Sequence, residues 1–68
     1  MGDRLLNTLK LERERLGLTQ AALAEAVGVS RKTINTVENG VFLPSTLLAL
    51  KLARTLERPV EMLFQLND

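Results

Sequence analysis

Arg31 and Lys32 stand side by side directly after Ser30, a residue suited to start a helix, and no anion follows until Glu38. A helix N-terminus already carries partial positive charge, so two cations there oppose the macrodipole unless an anion from outside answers them. The residue types that support covalent or metal chemistry are missing. There is no His and no Cys, no Gly-rich phosphate loop, and the carboxylates fall mostly on solvated helix faces. No acid, base or nucleophile constellation can be assembled from this set, so an enzyme is not expected, nor is a metal, a cofactor or a small-molecule ligand. What remains is binding, and the question is which anion Arg31 and Lys32 meet.

The elements that must position them follow from periodicity and caps. From Asp3 to Leu16 the apolar residues Leu5, Leu6, Leu9 and Leu16 fall at helical spacing with Arg13 on the same face, and Gly17 ends the helix. Thr19 is a good N-cap for a second helix, Gln20 to Val27, with Leu23, Ala24 and Val27 as its apolar stripe and Gly28 as its break. Ser30 caps a third helix, Arg31 to about Glu38. There Ile34 and Val37 face inward, Asn39-Gly40 closes the end, and Arg31, Lys32, Asn35 and Thr36 point out. After the loop Val41 to Pro44, Ser45 caps a fourth helix, Thr46 to Leu56, and Pro59 sits at the first turn of a fifth, Val60 to about Gln65. Leu66 to Asp68 are free to fray or to pair as a short strand. With no β-alternation and no repeat, the fold class is all-α.

Composition sets the frame around these helices. The 68 residues make a single domain, 1–68, with little apolar surface to bury, and without Cys or His neither a disulfide nor an ordinary zinc site can staple it. Oligomerisation is the remaining staple. Only 3% of the chain is aromatic, so the core must be Leu, Val, Ile and Ala packed between helices. No stretch is long enough to span a bilayer and no signal peptide precedes the first helix, so the expected compartment is the cytoplasm. A net charge of +1 means that any affinity for a polyanion must come from where the cations sit.

Within Gln20 to Asn39 the spacing is that of a helix-turn-helix. Ala24 is small where two helices must approach closely, Gly28 can take the positive φ of a tight turn, and Val29, Ile34 and Val37 fill the angle between the helices. The same residues also suit a helical hairpin in an ordinary bundle, and Arg31 and Lys32 a solvated basic patch. The string GLTQAALAEAVGVSRKTINTVENG, followed by PS and TLLALKLARTL, resembles the Cro and phage-repressor (Xre) family of transcriptional regulators, from about Leu5 to Phe64.

That resemblance implies a five-helix repressor-like DNA-binding domain acting as a homodimer on a near-palindromic operator. Its helix-turn-helix would comprise the second and third helices. It assigns Gln20 and Asn39 to phosphate and Arg31, Lys32 and Thr36 to base edges, and it makes double-stranded DNA the missing anion. Ser30, at the start of the recognition helix, joins the phosphate set. Arg and Lys at these places favour guanine, Asn35 suits adenine if it faces the groove, and Thr36 suits a thymine methyl. Arg13, costly on an apolar face without a carboxylate, has Glu38 as its partner by the same resemblance. A protein-interaction module of the same fold is the alternative, although cations at 31 and 32 argue against it. A restriction-modification controller and an antitoxin share the architecture.

Two features depart from that pattern. The loop after Asn39-Gly40 reads Val41-Phe42-Leu43 where a cation commonly adds a phosphate contact, and Phe42 is expected to fold back on the fourth helix. Val60, Leu63 and Phe64 satisfy the intrachain core, which leaves Pro59, Met62 and Leu66 as surplus apolar surface. Those three are assigned to a two-fold contact with a second copy.

Overall fold

Side-chain caps start three of the helices. In the computed structural model, which describes residues 5–66, the order is β1 (Leu5–Asn7), α1 (Leu9–Arg15), α2 (Gln20–Val27), α3 (Arg31–Glu38), α4 (Thr46–Leu56), α5 (Val60–Leu63) and β2 (Phe64–Leu66). The hydroxyls of Thr19, Ser30 and Ser45 accept from the N–H groups of Ala22, Thr33 and Leu48, satisfying donors that a helix start leaves without partners. Gly28 ends α2 in the left-handed region at φ +77°, and the N–H groups of Gly28 and Val29 turn back to the carbonyls of Glu25 and Ala24. α2 packs most closely on α3 and next on α4.

The core is aliphatic. Leu9, Leu23, Ile34, Val37, Leu52, Leu56 and Leu63 are fully enclosed, so α1 to α5 each contribute at least one side chain to a single cluster. Each such burial contributes about 1.5 to 3 kcal/mol. Ala24, buried against the same cluster, lets α3 lie close to α2.

Both ends of the chain differ from the expected helices. Asp3 lies outside the described residues, but Leu5 to Asn7, expected in the first helix, form a strand. The fifth helix stops at Leu63, two residues early, because Phe64 turns extended and begins the other strand. The two strands pair antiparallel with Leu5 opposite Leu66, Leu6 opposite Gln65 and Asn7 opposite Phe64. The Leu5, Leu6, Leu9 spacing suits a helix locally, but a non-local ladder satisfies the backbone instead. Asn7 locks the junction: its Oδ1 accepts from the Leu9 N–H at 3.2 Å while its Nδ2 donates to the Val37 carbonyl at 3.1 Å. Thr8 ties the same point to the end of α5, its Oγ1 donating to the Met62 carbonyl at 2.7 Å and its N–H to that of Leu63 at 2.9 Å. Leu66 falls within β2, and residues 67 and 68 lie outside the described residues.

Candidate nucleic-acid interface

α3 has two faces with opposite fates. Ile34 and Val37 are enclosed by the core, while Arg31, Lys32 and Asn35 are exposed and Thr36 is half-buried. Lys32 has no ion-pair partner among the described residues. Thr36 Oγ1 donates back to the Thr33 carbonyl at 2.9 Å, and the Thr36 carbonyl in turn accepts from the N–H groups of Val41 and Phe42. Its hydroxyl proton is therefore engaged within the helix. Ser30 and Asn39 flank α3, both exposed: Ser30 as the N-cap, and Asn39 as the last residue before Gly40 turns the chain at φ +75°.

Behind this face lies a buried ion pair. Arg13 Nε donates to Glu38 Oε2 at 2.6 Å and Nη2 to Oε1 at 3.3 Å, with side chains only 9% and 2% exposed. Nη1 donates to the Leu18 carbonyl at 2.7 Å, so each nitrogen of the guanidinium has an acceptor. The hydrogen bond to Glu38 raises the pKa of Arg13 further, outweighing burial, and the group is charged at every accessible pH. The pair joins α1 to the C-terminal end of α3 and so fixes how the outer row is presented.

Gln20, at the start of α2, links this pair to the outer face, a connection the sequence did not reveal. Its Nε2 donates to Glu38 Oε1 and to Asn35 Oδ1, both at 3.1 Å, and its Oε1 accepts from Arg31 Nη1 at 3.3 Å. The expected site residues Gln20, Arg31, Asn35 and Glu38 are thus brought into one network. A second clamp was also missed. Glu12 Oε1 accepts from Arg15 Nε at 2.6 Å and from Arg58 Nε at 3.2 Å, while Arg15 Nη2 reaches the Leu56 carbonyl at 2.9 Å. The spacing of Glu12 and Arg15 was a readable signal for half of it.

Phe42, about half exposed, lines a groove with Leu47, Leu48 and Lys51 of α4 and Val27 of α2. Pro59, Met62 and Leu66 lie on the α5 and β2 side of the molecule, all exposed, with Met62 at 49% and Leu66 at 62%. No helix among the described residues is long and apolar enough to cross a membrane.

Comparison with known proteins places this geometry. Residues 9–63, from the first residue of α1 to the last of α5, match the helix-turn-helix family. An HTH-type transcriptional regulator of Bacillus subtilis (strain 168), YgzD, is 40% identical over 62 residues, spanning 91% of this chain and 94% of its own. The restriction-modification controller protein C.AhdI from Aeromonas hydrophila is similar in structure, with a TM-score of 0.75 and 33% identity over 79% of this chain and 82% of its own. The P22 c2 repressor, solved in complex with a synthetic operator, gives 0.76 and 30% over 78% and 80%. With a family match across nearly all the described residues and relatives of this identity, the chain belongs to the Xre/Cro-like helix-turn-helix family of transcriptional regulators.

Proposed function

We propose that this chain is a repressor that binds a near-palindromic operator as a homodimer, with α3 in the major groove. The observation that carries the reading is the outer row of α3, where Arg31, Lys32 and Asn35 stand exposed while Ile34 and Val37 hold the helix rigidly in the core. DNA supplies the anion that the two cations require, either as guanine O6 and N7 or as flanking phosphates. The likeness to a repressor solved in complex with a synthetic operator supports DNA as the partner. Thr36, with its hydroxyl proton turned back on the helix, offers its methyl group to a thymine. Phosphates flank the groove where Ser30 and Asn39 lie at the two ends of α3 and where α2 begins at Gln20.

Pro59, Met62 and Leu66 form the two-fold contact in this reading, since surplus apolar surface on so small a domain is best covered by a second copy. Selection of bound sequences from a random DNA pool tests the whole reading. The expected product is a two-fold symmetric motif with half-site centres about 10 base pairs apart. An asymmetric motif would exclude the dimer, and no enrichment at all would exclude sequence-specific binding.

A further inference from the structure

Val41, Phe42 and Leu43 stand exposed in succession, the first and last at 78% and 67%, in the loop where the family pattern would set a cation. Three neighbouring apolar side chains in water serve neither the intrachain core nor the DNA-binding reading given above. The loop does not stand alone. Phe42 lines a groove of about 340 Å³ with Val27 at the end of α2, Val29 of the turn, and Leu47, Leu48 and Lys51 of α4. Thr33 and Ser45 line it as well, but Thr33 Oγ1 is bonded to Ser30 Oγ at 3.0 Å and Ser45 Oγ accepts from the Leu48 N–H at 3.1 Å. Lys51 is then the polar group left to be answered: it has no ion-pair partner among the described residues, and no carboxylate lines the groove. Arg54, three residues on and exposed, extends the same face of α4. Its place in the last turn suits the helix macrodipole, whereas Lys51, in the middle of the helix, has no such reason to be a cation.

We infer that this groove docks an amphipathic helix of a second protein, one that carries large apolar residues a turn apart with an Asp or Glu beside them. Leu47 and Lys51 are four residues apart on α4, so an apolar anchor and a cation lie one turn from each other, the spacing that a partner helix can match. The partner's apolar residues cover Phe42 and Leu47, and its carboxylate meets Lys51 with Arg54 at the rim. A second copy of this chain fits poorly, because a two-fold contact would turn Lys51 and Arg54 toward their own copies. A small molecule fits poorly too: pockets for small molecules bury most of their ligand, whereas Phe42 and Leu47, 48% and 64% exposed, leave this groove open. A DNA phosphate would answer Lys51 but leave the apolar walls in water. The inference stands apart from the docking of α3 and from the two-fold contact, since none of Arg31, Lys32, Pro59, Met62 and Leu66 lines the groove.

Selection of phage-displayed random peptides on the full chain tests this. The enriched peptides carry large apolar residues at helical spacing with Asp or Glu beside them. The best of them, remade with Lys in place of its acidic residues, binds about tenfold more weakly. Lys51→Glu reverses that order, favouring the basic peptide over the acidic one; should this variant lose its cooperative thermal unfolding, Arg54→Glu takes its place. On titration with the acidic peptide the backbone resonances of Val29, Phe42 and Leu47 move, while those of Met62 and Leu66 stay. No enrichment, enrichment of basic peptides, equal binding of the acidic and basic forms, or resonance shifts away from the groove overturns the inference. Phe42 and Leu47 resonances that move when the protein alone is diluted put a second copy in the groove and overturn it as well. Resonances there that move with duplex DNA but with no selected peptide give the groove to DNA instead.

Discussion

Arg31 stands exposed in the first turn of α3, with Nη1 donating to Gln20 Oε1. Arg31→Ala is expected to lower operator affinity by about 1 to 3 kcal/mol and to relax base preference at one symmetric pair of positions, as measured by titration on the operator and on its single-base variants. Equal losses on operator and random DNA would make Arg31 a phosphate contact. Arg13 and Glu38 make a different case, since each is nearly buried and each is the other's charge partner. Removing either leaves a charge stranded, so Arg13→Ala and Glu38→Ala should each cost about 3 to 5 kcal/mol, and the double mutant less than their sum. A denaturant double-mutant cycle reads this directly, and simple additivity would show that the pair contributes no coupling.

Elements are joined by groups that act at their ends. Gly28 takes φ +77° to turn α2 toward α3, and a Cβ built there would meet nothing within 4 Å. Gly28→Ala therefore meets no neighbour but forces a Cβ residue into the left-handed region, which should cost about 1 to 2 kcal/mol in chemical denaturation with the fold retained; a much larger loss would mean that the turn has no room after all. The clamp on Glu12 joins the end of α1 to the segment between α4 and α5. The hydrogen bond from Arg15 lowers the Glu12 pKa below its usual 4.5 with help from the charge of Arg58, while burial works the other way. A carboxylate whose pKa is lower in the folded state contributes stability above its unfolded pKa and loses it as the pH falls through the folded value. Stability should thus decline as the pH drops below about 4.5, and Glu12→Gln should flatten that part of the profile. A Glu12→Gln profile parallel to the wild type would place the acid sensitivity elsewhere.

At the scale of the whole molecule, the proposed base-reading row and the exposed apolar residues serve one act only if two copies associate. The proposed dimer across Pro59, Met62 and Leu66 is expected to set two recognition helices about one DNA turn, roughly 34 Å, apart. Met62→Glu or Leu66→Glu brings like charges close to a two-fold axis. Either variant should sediment as a monomer and melt at a lower temperature. It should also lose operator binding, although Arg31, Lys32 and Asn35 are untouched. A variant that stays dimeric and binds normally would move the contact to Leu11 or Leu47, both of which are exposed.

Thr19, Ser30, Ser45 and Gly28 marked the bounds of α2, the start of α3 and the start of α4 in the sequence itself, because a cap and its helix lie within a few residues of each other. The inward pair Ile34 and Val37, and with it the outward row of α3, followed from the helical period in the same local way. The terminal ladder did not. Leu5 and Leu6 suit a helix by spacing, and only the return of β2 to the start of the chain makes them a strand. Polar commitments were equally out of reach of local pattern. Asn7 bonds a carbonyl 30 residues away, Glu12 an arginine 46 away, and Gln20 a carboxylate 18 away. Residue type states what a side chain can donate or accept; folding decides which partner stands within 3 Å. For Asn35 that decision sets the direction of its amide, because Glu38 can only accept, Arg31 can only donate, and Gln20 lies between them.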